Sequence, residues 1–343
     1  MSSVAVIAIG RNEGERLRAC LTSAVRDADT VVYVDSGSTD GSVALARELG
    51  CRVVELDLSK PFTAARARNE GAAAAGEVEY LQFVDGDCEI VEGWIGKAVA
   101  FLEANPQASV VCGRRRERYP DATKWNKLCD MEWDTPIGKA EACGGDAMIR
   151  RSAFEQVGGY NPAVIAGEEP EMCVRLRAAG HEIHRIDEEM TLHDAAMTKF
   201  SQWWKRNVRA GHAFAEGYDR HPPFRKKQVR SNYAFGCFSF ALYVCGLAIA
   251  LIGAWIATGQ VARWASVAVG LTFVAGVAGL WVRLLRRVKE HRLSNGDASK
   301  DASMYATYVL RSKLPQALGQ LKYRLNKLRG KQATIIEYKG ASE

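Results

Sequence analysis

Four short apolar runs alternate with helical patterns through the first quarter of the chain, and this alternation narrows the fold more than any other feature. Val4–Ile9, Thr30–Val34, Arg52–Leu56 and Tyr80–Val84 read as strands. Between the first two, Arg16, Leu17, Cys20, Leu21 and Val25 keep a helical period. Ser42–Leu49 is helical up to Gly50, and the Ala-rich Phe62–Ala75 is helical up to Gly76. Strand–helix alternation at this spacing predicts an α/β fold, a parallel sheet with helices on both faces. Ligands of such sheets bind beyond the carboxyl ends of the strands. Three polar clusters sit at those ends: Arg11-Asn12-Glu13, Asp35 to Asp40, and Asp85-Gly86-Asp87.

The last cluster carries the most chemistry. A strand ending in Asp-x-Asp sets two carboxylates on one edge, with Gly86 allowing a tight turn. Two hard oxygen ligands suit Mg²⁺ or Mn²⁺ on a diphosphate. An isolated Asp-Gly-Asp is equally an ordinary turn.

The order of the motifs adds weight. Val4–Glu13, Val31–Ser42, Ala67–Gly71 and Leu81–Asp87 are followed by Gly144–Arg151, Val157–Tyr160 and Gly167–Arg177. Together they resemble the family 2 glycosyltransferases, over roughly residues 3–215. The resemblance implies the GT-A (Rossmann-like) fold, a mixed sheet with helices on both faces. It further implies a nucleotide-sugar donor, a divalent cation (Mg²⁺ or Mn²⁺) and, for most members, inversion by a single displacement.

Residue by residue, the resemblance places Asp35 against the nucleobase with Ser36 beside it. Turn chemistry is the other reading of Asp35. Asn12 and Glu13 match the first donor loop, and Glu13 also suits the first turn of a helix. Arg68 and Asn69 match an Arg-Asn-x-Gly stretch beside the donor. Asp85, Gly86 and Asp87 match the metal and diphosphate motif, and Asp146 lies near the sugar or acceptor. Asp40 reads as a helix cap. Glu169 matches the acidic general base, with Glu168 as the alternative. Glu stands where the family usually has Asp, one methylene longer, and the helix dipole is expected to keep the carboxylate ionised. His193 is a candidate third metal ligand with Asp85 and Asp87, or a plain polar residue. Arg206 or Arg209 could meet donor or lipid phosphate, whereas Trp203 and Trp204 could mark a membrane interface.

The rear of the chain has another character. Tyr233–Ala257 carries no charge, and Trp264–Leu285 carries only Arg283. Each reaches the ~20 residues needed to cross a bilayer, and a short connector joins them as a transmembrane helical hairpin. Arg225, Lys226, Lys227 and Arg230 flank one side, and Arg283, Arg286, Arg287, Lys289 and Arg292 the other. Positive flanks stay cytoplasmic, so an inner-membrane protein with head and tail in the cytosol is expected. Tyr305–Leu328 mixes apolar and basic residues, with a break expected at Pro315, and is read as an interfacial helix on anionic lipid, the alternative being a helix packed on the head. Residues 295–303 read as a loop. The expected organisation is a catalytic domain at 1–220, a hairpin region at 221–292 and a basic amphipathic tail at 293–343.

Charge fits this division. From Asn232 onward there are 15 basic and 5 acidic residues, against 31 and 35 before it. The net +6 is too small for a dedicated nucleic-acid binder. Nine cysteines without a C-x-x-C point to reduced, buried thiols. No signal peptide is read ahead of Val4, and no Walker A, G-x-G-x-x-G or H-E-x-x-H motif occurs. The expected function is sugar transfer to a lipid-linked or envelope-polysaccharide acceptor, with membrane lipids as a further partner. A sugar nucleotidyltransferase and an inactive membrane scaffold of the same fold are the alternatives.

Overall fold

A computed structural model describes residues 2–331, in two compact units that meet in sequence at Trp203 and Trp204. The first unit opens with β1 (Val4–Gly10), α1 (Glu15–Asp27), β2 (Thr30–Asp35), α2 (Ser42–Glu48), β3 (Arg52–Glu55), α3 (Ala64–Ala74) and β4 (Tyr80–Asp85). Each expected element is present within two residues of its expected bounds. β3, β2, β1 and β4 lie side by side and parallel. Val4–Ile9 is buried without a break, as a strand covered on both faces must be.

Beyond β4 the parallel pattern gives way. β5 (Cys88–Ile90), α4 (Trp94–Ala104), β6 (Ala108–Glu117), α5 (Lys124–Trp133), β7 (Gly138–Lys139), β8 (Ala147–Arg150), α6 (Arg151–Gln156), α7 (Glu168–Ala178) and β9 (Glu182–His193) follow. β8 enters antiparallel between β4 and β6. β9 runs parallel to β6 and antiparallel to β5 and β7. The sheet order is β3-β2-β1-β4-β8-β6-β9-β5, with β7 on β9, so the sheet is mixed. The nine cysteines are all free, and seven are buried.

The second unit is helical. α8 (Phe200–Arg220) leads into it, and α9 (Lys226–Asn232) continues through a π-helical turn, Tyr233–Phe238, into α10 (Ser239–Ile256). α11 (Gln260–Ser294) and α12 (Ser299–Leu328) complete it. Lys226–Ile256 and Gln260–Ser294 are both long and apolar enough to cross a membrane, and a short connector makes them a hairpin. Their outer faces are bare: Leu251, Trp255 and Val261 are 71%, 83% and 85% exposed. Contiguous apolar surface of this kind is rare on proteins surrounded by water.

Two expectations need correction. α12 begins at Ser299, inside the expected loop, and it runs through Pro315 without breaking. An interior proline costs a helix about 3 kcal/mol. Close packing offsets that cost here. A Cβ at Gly211 on α8 would land on the Gln316 carbonyl, and one at Gly319 on α12 would land on the Val208 carbonyl. The two helices therefore touch backbone to backbone around the buried Pro315.

Candidate active site

The register of the sheet builds the centre of the site. β5 and β9 pair so that Cys88 faces His193. The neighbouring Asp87 then meets the end of β9, where its carbonyl accepts from the Asp194 N–H at 3.1 Å. On the other side, β6 pairs Glu117 with His193. The imidazole thus lies between two carboxylates, with Nε2 3.4 Å from Asp87 Oδ2 and Nδ1 3.6 Å from Glu117 Oε2. Glu117 is held by the N–H groups of Tyr119 and Ala195 and the amide of Asn126. Carboxylates thus flank both ring nitrogens, the nearer being Asp87 at Nε2. The donor set of carboxylate oxygen and imidazole nitrogen fits Mn²⁺ or Mg²⁺. The ring of Trp133, at the end of α5, meets His193 edge-on at 4.6 Å and lies under the Arg115 guanidinium at 5.5 Å.

Asp85 sits one turn away on a different set of partners. Buried Arg68 donates to Asp85 Oδ1 and to Glu168 Oε1, both at 2.7 Å. One guanidinium therefore ties the Asp-Gly-Asp turn to the first turn of α7. Arg115 approaches Asp85 Oδ2 at 3.7 Å and Asp146 Oδ1 at 2.7 Å. Fully buried Asp146 accepts from the Asp85 N–H at 3.2 Å and from Thr191 Oγ1 at 2.7 Å. It braces the turn from behind. Gly86 needs no unusual backbone angle; a Cβ there would come within 3.0 Å of the Ile9 carbonyl oxygen. Close approach of β1 requires the glycine.

Glu169 follows Gly167, whose φ of 80° turns the chain into α7. Its Oε1 accepts from the Cys143 N–H at 2.6 Å, Cys143 Sγ at 3.1 Å and Cys173 Sγ at 3.0 Å. Burial pushes the Glu169 carboxyl above its ordinary value of 4.5, although the hydrogen bonds from Cys173 and Cys143 oppose the shift.

The remaining expected donor residues are engaged in the loops themselves. Asp35 accepts from Tyr33 Oη at 2.9 Å and from the Gly37 and Ser38 N–H groups at 2.8 Å. Asn12 Oδ1 accepts from the Thr39 N–H at 2.7 Å, and the Asn12 N–H donates to Ser38 Oγ at 2.9 Å. Buried Ser36 donates its N–H to the Gly10 carbonyl at 3.1 Å. Asp40 accepts from the N–H and hydroxyl of Ser42 and from the Gly14 N–H, but it is not the expected helix cap: Gly41 is the N-cap of α2, and no side chain caps it. Glu13 pairs with Arg16 at 2.9 Å, but it precedes the Gly14 N-cap and so lies ahead of the first turn of α1. Asn69 clamps the backbone of Tyr160, donating to its carbonyl at 2.7 Å and accepting from its N–H at 2.9 Å. Arg209 belongs to the second unit.

Comparison with known proteins bears on this arrangement. Residues 3–158 match the family model for glycosyl transferase family 2, and residues 129–199 match one described as the N-terminal domain of galactosyltransferase. Residues 3–158 belong to glycosyltransferase family 2. A TPR repeat-containing protein of Synechococcus elongatus is 34% identical over 190 residues, 46% of either chain, so the match spans less than half of that protein. The succinoglycan biosynthesis protein ExoA of Rhizobium meliloti is 24% identical over 269 residues, 75% of this chain and 77% of that one. A solved mannosyltransferase from Pyrobaculum calidifontis, in complex with GDP-Man and Mn²⁺, superposes with a TM-score of 0.56 at 16% identity, covering 96% of this chain and 88% of that one. That likeness establishes a shared GT-A fold.

Several residues of this candidate site escape sequence reasoning. Arg115 and Glu117 lie in β6, among three consecutive arginines that read as surface charge. Cys143 and Cys173 sit in no recognised spacing. Only alternation along β6 hinted at them, since Arg115 and Glu117 are two apart and share a face.

Proposed function

We propose that this transferase moves a sugar from a nucleotide-sugar donor to a saccharide or lipid-linked acceptor at a membrane surface, by a metal-assisted single displacement with inversion. The supporting observation is the tie made by Arg68, which brings the Asp-Gly-Asp turn, with its Asp87–His193 pair, beside the acidic start of α7. Diphosphate-bearing chemistry and a general base thus share one corner of the sheet. A divalent cation held by Asp87 and His193 would neutralise the departing diphosphate. Asp85, steadied by Arg68 and Arg115, lines the same turn. Glu169 takes the acceptor hydroxyl proton, and its raised carboxyl pKa suits a base working near neutral pH. Glu168 Oε1 is paired with Arg68 and Glu169 Oε1 accepts three hydrogen bonds, so Glu168 stays the alternative base.

The two apolar helices support membrane association, and their basic flanks favour a cytosolic head and tail on the inner membrane. Residues 1–220 would then be the catalytic domain, 221–292 the anchor and 293–343 the tail. The likeness to a protein named for succinoglycan biosynthesis favours an envelope polysaccharide or its lipid-linked precursor as acceptor.

A panel of nucleotide sugars, each assayed for turnover with and without Mn²⁺ on the purified protein, tests the proposal. Asp87→Ala and Glu169→Gln are each expected to lower kcat by at least about 100-fold. Turnover that ignores Mn²⁺ and survives Asp87→Ala would discard the metal assignment. Full activity in Glu169→Gln would discard the base.

A further inference from the structure

We propose that Cys143, Cys173 and Glu169 form a second metal site, selective for a thiophilic divalent cation of the zinc class. The three donor atoms lie within 4.8 Å of one another, and all three residues are buried. The two sulfurs are 3.7 Å apart and unbonded. That matches the edge of a tetrahedral zinc site, about 3.8 Å for two Zn–S bonds of ~2.3 Å. The sulfur–oxygen edges, 3.1 and 3.0 Å, open by only a few tenths of an ångström to reach the same geometry.

The elements explain why the atoms converge. Glu169 and Cys173 are four apart on α7 and therefore share a helix face. Cys143 reaches them from the segment ahead of β8, where its own N–H donates to Glu169 and fixes the thiol on the carboxylate. Binding would release two thiol protons to solvent and leave two thiolates and one carboxylate on a divalent ion, a net charge of −1. The N-terminus of α7 accommodates that charge. Soft sulfur separates this site from the oxygen–nitrogen pair of Asp87 and His193, so the two would sort different metals.

Occupancy would draw Glu169 Oε1 into coordination and remove it as a base; this consequence rests on the role proposed for Glu169, whereas the site itself does not. The full-length protein in detergent, titrated with Cd²⁺ and followed by thiolate-to-cadmium ultraviolet absorption, tests the site. One equivalent is expected to give the band of two thiolates, and Zn²⁺ to erase it by displacement. Cys143→Ser and Cys173→Ser should each weaken binding at least about 100-fold, the upper end for losing a mere supporting contact. The double variant Asp87→Ala, Cys88→Ser should keep the band, because Cys88 is the only thiol of the other two clusters among the described residues. A band that survives both serine variants, or is missing in the double variant, overturns the proposal. The double variant decides even if the serine variants fail to fold. Zinc that binds at this site yet leaves sugar transfer at full rate would retain the site and reject Glu169 as the base.

Discussion

Asn69 shows how a motif residue can serve structure. The family resemblance sets it beside the donor, yet both ends of its amide are engaged by the backbone of Tyr160. Removing such a side chain strands a buried N–H and a carbonyl, at about 1–3 kcal/mol. Asn69→Ala is therefore expected to lower the melting temperature measurably. A donor-binding role would instead raise the donor KM at unchanged stability, so the two measurements together separate the readings. Glu169 makes a second prediction at this scale. Burial raises its carboxyl pKa, so the ionised base is lost as pH falls through a value above the ordinary 4.5. The acid limb of the rate profile should lie correspondingly high, and Cys173→Ala, which removes a thiol donor to the carboxylate, should shift it upward. The sign for stability is opposite. A carboxyl whose folded pKa is raised holds its proton better in the folded state, so its contribution is complete below 4.5 and declines as pH rises through the folded value.

Among the elements, β9 and α12 are the two that local pattern described least well. β9 is twelve residues long and pairs with three strands, and its last residue is His193. Nothing local in Thr191-Leu192-His193 distinguishes a metal ligand from a surface histidine. The distinction comes from pairing with β5 and β6, strands that lie far earlier in the chain, at Cys88–Ile90 and Ala108–Glu117. α12 reverses a local rule, because backbone contact with α8 stabilises a helix that Pro315 would otherwise break. A bulky side chain at that contact should undo the balance. Gly319→Val is expected to cost about 3 kcal/mol or more, beyond the usual loss for overpacking, because the added atoms meet the Val208 carbonyl rather than a movable side chain. Chemical denaturation followed by helical circular dichroism would measure it. Wild-type stability in this variant would show that α8 and α12 do not pack as described.

Over the whole molecule, the helical unit exposes an apolar surface that water would penalise, and the proposed bilayer would remove the penalty. Cell membranes washed with alkaline carbonate should retain the full chain, and detergent should release it. Recovery in the carbonate supernatant would point to a hairpin covered by protein. The alternating strands, the Asp-Gly-Asp turn, the acidic start of α7 and the two long apolar runs were legible residue by residue. Each is a local signal, in which side-chain period, turn chemistry or hydropathy acts over a few neighbours. What could not be read that way was the company each residue keeps. Arg68 linking two motifs, Glu117 behind His193, and Cys143 closing on Glu169 join positions tens to a hundred residues apart. Such encounters are set by strand register and helix docking, which minimise the free energy of the entire packed sheet, and no short window of sequence carries that sum.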